Sequence, residues 1–285
     1  MTARFVAEVS SNHHRDLARA IAFVETASRI GCAAVKFQLF RVDELFAPEI
    51  LEKSPTHRAR AQWELPEAFL PALAARCREL GIQFACTPFS LRGVDVLEPY
   101  VDFYKIASYE LLWDGLLRAC ASTGKPVVLA TGMATLEEVV RAAGVLRAAG
   151  CAEPLLLHCT SGYPTPVEQC NLAAIETIRV ATGARAGWSD HSVSPAVIYR
   201  AVHRWGAELV EFHLDLDGTG AEYGAGHCWL PEQIAPVMDA IRHGVAADGT
   251  GMKRPVDAEI ADRPWRADPE DGLRPMQSIR GTWTP

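Results

Sequence analysis

The stretch FVAEVSSNHHRD, residues 5–16, runs from an apolar, strand-like segment straight into a polar corner and carries no glycine. An open doubly wound sheet normally places a Gly-rich phosphate turn after its first strand, so this corner speaks against that fold. The segment that follows, 16–30, reads as a helix: Asp16 can N-cap it, Leu17, Ile21 and Val24 share a face, and Gly31 can close it. The same unit recurs along the chain. Apolar runs at 5–10, 33–40, 83–89, 103–108, 126–133, 154–161, 184–190 and 209–215 alternate with helical segments at 66–80, 91–99, 115–123, 135–149, 171–181, 195–206 and 231–243. Eight buried parallel strands alternating with helices predict an α/β fold, a closed (β/α)8 TIM barrel. Residues 1–245 read as that catalytic barrel. Residues 246–285, rich in Pro, Gly and charge, read as a C-terminal tail or arm.

Composition narrows the partners. A chain of 285 residues with 49% hydrophobic content can bury a large core. Its formal net charge of −7 argues against a nucleic-acid surface or an anionic membrane, while leaving room for a local cationic pocket. The eight cysteines form no CxxC pair and are expected to be reduced. No basic-then-apolar leader opens the sequence, and no apolar run reaches the roughly 20 residues of a membrane span. A cytoplasmic protein is the expectation.

Barrels of this class build their sites from the carboxyl ends of the strands, and those ends are polar here. Strand one carries Glu8 and leads into Asn12 and His13; strand two carries Lys36 and Gln38; strand three ends in Thr87. Strand four carries Lys105 and Ser108 with Glu110 beyond, and strand five carries Thr131. Strand six carries His158, Thr160 and Ser161 with Tyr163 following; strand seven ends in Ser189, Asp190 and His191, and strand eight in Glu211, His213 and Asp215.

Lys36 and Lys105 interrupt apolar strands. A buried ammonium is costly without a partner, so each predicts either an internal carboxylate or a bound anion. Two lysines beside the hydroxyls of Thr87, Ser108, Thr131 and Ser189 favour an anionic substrate, with donors suited to phosphate oxygens. His191 and His213 close neighbouring strands about 4.8 Å apart, a placement that suits a divalent metal, with Asp190, Asp215 and Asp217 nearby as oxygen donors. Manganese, iron, cobalt and zinc all fit such ligands. His227, in GAGHCWLP, is placed by its loop either over the barrel mouth as a substrate residue or in a surface turn.

These residues resemble the sialic acid synthase family, enzymes that condense phosphoenolpyruvate with an N-acyl amino sugar aldehyde. The segments that carry the resemblance are AEVSSNHHRDL, AAVKFQLF, FACTPFS, YKIASYE, VVLATGMATLEEV, LLLHCTSGYPTP, GWSDHS and LVEFHLDLD, in order from residue 7 to 217. The resemblance implies that His191 and His213 hold the metal, manganese first with magnesium, cobalt, iron and zinc as alternatives, and that Glu8 orients water at it. It implies that Lys36, Thr87, Lys105, Ser108 and Ser189 bind phosphoenolpyruvate, with Ser161 where the family often has Asn. Gln38, Glu110 and Tyr163 would face the sugar aldehyde, with Asp217 and His227 also on the substrate side, in a protein that works as a homodimer.

Three features depart from the family. Ala130 stands where a serine usually precedes Thr-Gly-Met, which leaves Thr131 to supply that hydroxyl. GTGAEYGAGHCW replaces the usual Gly-Pro-Asp-His loop after strand eight, putting Glu222 and His227 in its place. After RPMQSIRG, where family members commonly continue into a small antifreeze-like domain, the sequence ends, so N-acetylmannosamine itself stays open as the substrate. Two other readings use the same residues: a metal-dependent barrel hydrolase with no need for Lys36 or Lys105, and a catalytically silent ligand-binding barrel.

Overall fold

A computed structural model describes residues 3–284. The chain divides into two compact units, Met1–His243 and Gly244–Pro285. In the first, eight parallel strands follow one another around the sheet: β1 Arg4–Glu8, β2 Ala34–Leu39, β3 Gln83–Pro88, β4 Phe103–Ile106, β5 Val127–Ala130, β6 Leu155–Cys159, β7 Arg185–Asp190 and β8 Leu209–Leu214. Pairing of β1 with β8 over five residues, from Arg4↔Leu209 to Glu8↔His213, closes the barrel.

Helices alternate with the strands: α1 Leu17–Arg29, then three short turns α2 Val42–Leu45, α3 Pro48–Lys53 and α4 Pro55–Ala59, then α5 Leu70–Leu80, α6 Leu91–Leu97, α7 Asp114–Ser122, α8 Leu136–Ala148, α9 Ala174–Thr182 and α10 Pro195–His203. Beyond β8 come α11 Ala221–Gly224, a two-residue strand β9 Cys228–Trp229 that extends the carboxyl end of β8, and α12 Pro231–Ala247. The second unit contains the short helices α13 Asp257–Ile260 and α14 Gln277–Arg280. Among the described residues no helix is long and apolar enough to cross a membrane.

Local chemistry sets the boundaries. Asp16 accepts the Arg19 N–H at 3.1 Å to start α1, Thr135 and Glu138 form a reciprocal capping box on α8, and left-handed Gly81 and Gly183 end α5 and α9. All eight cysteines are free and buried.

The barrel interior is layered by strand alternation, because every second residue of a strand points the same way. Its floor is an apolar plug of Val6, Ala34, Ala85, Phe103, Val128, Leu155, Leu157 and Leu209. Two residues further along the same strands stand Glu8, Lys36, Thr87, Lys105 and Glu211, all less than 5% exposed. Gly187, whose Cβ would collide with the Leu209 carbonyl and press on Leu157, lets β7 pass close to the plug. Ser189 follows two residues above it. The barrel thus presents a charged layer over a hydrophobic floor, open at the strands' carboxyl ends.

Candidate functional site

The charged layer is neutral within itself. Lys36 Nζ lies 2.6 Å from Glu8 Oε2, 3.6 Å from Glu211 Oε1 and 3.2 Å from Thr87 Oγ1, and Lys105 Nζ donates to Glu211 Oε1 at 3.1 Å. Burial pushes the Glu211 carboxyl up, but Lys105 and Lys36 outweigh it and hold it well down; Lys36 in turn is raised by Glu211 and Glu8 against the effect of burial. The sequence argument that two buried lysines favour a bound anion is therefore corrected. Two internal carboxylates supply the charge, and Glu211 bridges both lysines. Lys36 has its donors occupied, whereas Lys105 bonds only Glu211 and keeps donors for a ligand.

Above this layer the histidines converge. The His191 and His213 rings are 5.3 Å apart between centroids, and Tyr163 packs 4.2 Å from His191. His191 Nδ1 lies 2.8 Å from the Thr160 carbonyl and His213 Nδ1 lies 2.8 Å from Glu222 Oε2. Each Nδ1–H is thus committed to an acceptor, and neither Nε2 meets a protein partner among the described residues. Metal-ligating histidines are oriented in this way, by a carbonyl or carboxylate on the far nitrogen. Burial and the neighbouring His213 push the His191 imidazole down to about 3, so it is a neutral ligand with a lone pair on Nε2. Burial lowers His213, but Cys228 and Glu222 raise it well above its ordinary value.

A second donor set shares His213. Ligand atoms of His213, Glu222, His227 and Cys228 all lie within 4.8 Å of one another. Burial raises the Cys228 thiol, which keeps it protonated and makes the set one of imidazoles and oxygens. The residues of this set fit a divalent cation, with His213 and His227 as its imidazoles and Glu222 as its oxygen donor. Glu222 is the hub: besides His213 it accepts from Ser10 Oγ and from Ser11 Oγ at 3.0 Å, and it lies 3.5 Å from His227 Nε2. Replacing it by glutamine (Glu222→Gln) is expected to weaken divalent-metal affinity about 10–100-fold, read by calorimetric titration, because His213 exchanges its charged carboxylate acceptor for a weaker neutral amide oxygen.

The three aspartates near strands seven and eight are corrected as donors. Asp190 accepts from the indoles of Trp188 at 3.1 Å and Trp229 at 3.0 Å and from Ser192, pinning the carboxyl ends of β7 and β9. Asp215 holds Arg19 at 2.9 Å and the Gly220 N–H at 2.9 Å. Asp217, expected on the substrate side, instead pairs with Arg19 at 2.7 Å on an exposed loop outside the main cavity. Thr131, expected as a phosphate donor, gives its hydroxyl to the Leu157 carbonyl at 3.1 Å.

Beside the layer is a small hydroxyl cradle. Ser108 Oγ accepts the Gly132 N–H at 3.0 Å and lies 3.1 Å from Cys159 Sγ, and the buried Ser161 Oγ has no partner. A side chain at position 132 would collide with Ser161, Ser108 and Cys159 together, so Gly132 keeps this space open. Gln38 donates to Glu8 Oε1 at 2.6 Å, which fixes the carboxylate from above.

A cavity of about 730 Å³ stands over the site, lined by Gln38, Tyr163, His213, Glu222, His227 and Glu110 on the barrel side. The wall that the sequence reading missed is Phe46, His57, Arg60 and Trp63, from the β2–α5 connection. That connection, residues 40–69, is far longer than an ordinary loop, a length that marks functional segments. Glu110 Oε2 is buried without a partner, and burial pushes its carboxyl up to about 7 against the pull of Lys105. Since the folded value exceeds the reference 4.5, the fold favours the protonated form, and the stability this contributes at low pH is lost as pH rises from 4.5 through 7. Glu110→Gln should flatten the denaturation midpoint across that window, where the parent protein loses up to about 3 kcal/mol relative to the variant.

Fold and site together define a (β/α)8 barrel with its polar machinery gathered at the carboxyl ends of the strands, where barrels of this kind carry out chemistry. The chain belongs to the NeuB family, whose model matches residues 23–253. It is 35% identical to an uncharacterized protein of Methanocaldococcus jannaschii, over 89% of this chain and 74% of that one. It is 31% identical to the N,N'-diacetyllegionaminic acid synthase of Legionella pneumophila, over 92% and 78%. Among solved structures it resembles the N-acetylneuraminic acid synthetase of Leptospira borgpetersenii, crystallised with citrate, at a TM-score of 0.80 and 27% identity over 92% of this chain and 90% of that one. The family resemblance read from the strand ends is thereby shown, and the named relatives are sugar acid synthases.

Proposed function

We propose that the protein condenses phosphoenolpyruvate with a sugar aldehyde, giving a sialic-acid-like 2-keto-3-deoxy sugar acid and phosphate. The observation that carries this reading is the juxtaposition, on one barrel face, of an oriented histidine pair, a lysine with free donors and a serine cradle whose Ser161 hydroxyl has no partner among the described residues. Residues supporting it all lie in the first unit.

In this reading C3 of phosphoenolpyruvate bonds to the aldehyde carbon, water adds at C2, and the C2–O bond to phosphate breaks. Lys105 and the Ser108, Ser161 and Ser189 hydroxyls receive the carboxylate and phosphate, with Lys36 and Thr87 fixing the layer beneath. A divalent cation, manganese in our reading, would be held by His191 and His213 and would supply Lewis-acid polarisation of the aldehyde oxygen. Glu8, braced by Gln38 and Lys36, would orient the incoming water. Tyr163, Gln38, Glu110 and His227 line the space for the sugar. The aromatic walls exclude bulk water, which strengthens the charged contacts.

The test is phosphate release from phosphoenolpyruvate with a panel of aldoses, before and after chelation and with single metals restored. Release that needs both an aldose and a metal supports the reading. No release with any aldose and metal, from folded protein, overturns it.

A further inference from the structure

The long β2–α5 connection places one cation on the cavity wall with nothing to neutralise it. Arg60, half-buried, stacks over Phe46 at 5.4 Å and Trp63 at 5.6 Å, yet its guanidinium makes no hydrogen bond or ion pair among the described residues. Its neighbours on the same connection are satisfied: Arg58 bonds the Leu51 carbonyl, and Glu64 accepts the Val42 N–H and pairs with Arg15. The carboxyls on the cavity wall, Glu110 and Glu222, make no ion pair with Arg60; Glu222 is committed to His213 and Ser10.

His57, on α4, stands beside it. Its ring meets Phe46 at 4.8 Å, and its Nδ1 lies 2.6 Å from Ser54 Oγ. Ser54 Oγ accepts the His57 backbone N–H and can turn its own hydrogen to Nδ1; in that tautomer Nε2 is an N–H donor, and in the imidazolium both ring nitrogens donate. Two groups therefore line the cavity that His213 also faces, held by aromatic faces and without a counter-charge. A planar guanidinium set in this way is suited to bidentate capture of an oxyanion.

We propose that Arg60 and His57 form a subsite for an oxyanion, a phosphate ester or a carboxylate, carried by the aldehyde substrate at the end remote from its aldehyde carbon. Arg60 and His57 line the same cavity as His213 but share no hydrogen bond, ion pair or ring contact with it among the described residues, which assigns the anchor to a part of the substrate away from its aldehyde carbon, and the unpaired charge selects an anion over a neutral hydroxyl. This rests on the synthase reading above, because that reading supplies the aldehyde.

The experiment compares kcat/KM for matched aldoses that are neutral, terminally phosphorylated or terminally oxidised to the carboxylate, in the parent protein and in Arg60→Met and His57→Gln, with melting curves to confirm folding. The expected result is a preference for one of the charged aldoses of at least about 30-fold, of which Arg60→Met removes at least tenfold, mostly through KM; which charged aldose wins identifies the group. Arg60→Lys should recover part of the preference. A parent protein that releases phosphate equally well with neutral and charged aldoses, or an Arg60→Met change that lowers all three alike, overturns the subsite while leaving the synthase reading standing. If no aldose turns over, calorimetric titration with the corresponding neutral and phosphorylated sugar alcohols still decides it: selective binding of the phosphorylated alcohol lost in Arg60→Met upholds the subsite, and equal or absent binding overturns it.

Discussion

Glu211→Gln is expected to destabilise the barrel by roughly 3–5 kcal/mol, the usual cost of removing one partner from a buried ion pair. Glu211 touches both lysines of the charged layer and is 3% exposed, so solvent cannot replace it. The variant leaves two buried ammonium groups against the single carboxylate of Glu8. Urea denaturation should show the midpoint falling with an unchanged slope, and the melting temperature should drop on the order of 10 °C. The double variant Glu211→Gln, Lys105→Met should recover much of the loss, because the uncompensated charge goes with its partner. A single variant as stable as the parent would mean that the layer is open to water and that its neutrality is not what holds these strands together.

His213→Ala is expected to abolish phosphate release, by on the order of 10³-fold, read on protein that melting curves show to be folded. His213 is the one side chain common to both donor sets, and it touches Glu222, Tyr163 and His227. Glu222→Gln separates orientation from ligation, since it keeps the imidazole and replaces its charged acceptor with a neutral amide. Loss in His213→Ala together with a smaller, metal-rescuable loss in Glu222→Gln supports ligation. Equal and metal-independent losses in the two would instead assign His213 to packing.

Much of the barrel was legible because its signal is periodic and local. Each strand is an apolar run flanked by a cap or a glycine, as at Asp16 and Gly81, and the pattern needs no knowledge of partners. The three short helices after β2 were not read, since segments of four to six residues carry too little periodicity to stand out. Within the site, Glu8, Lys36, Lys105, His191 and His213 were legible as polar residues breaking apolar strands. Their partners were not. Lys105 and Glu211 are 106 residues apart in sequence, and no spacing rule joins them. Glu222 reaches His213 from a loop nine residues downstream, and Arg60 is indistinguishable in sequence from the exposed arginines around it. The misplaced donors, Thr131 and Asp217, failed for the complementary reason: Thr131 follows the end of β5 and Asp217 lies on the loop after β8, but each spends its polar atoms on a neighbour that only the fold brings close, the Leu157 carbonyl and Arg19.

The sequence by itself determined the alternating architecture and which strand ends carry chemistry, because strand alternation and capping act over a few residues and fix which side chains point inward. The tertiary structure alone decided how those inward groups divide their charge: that Glu8 and Glu211 neutralise the lysines, that Glu222 orients His213, and that Arg60 is left unpaired. Ion pairing depends on distance through space, and closing the barrel sets distances between residues that the chain itself keeps far apart.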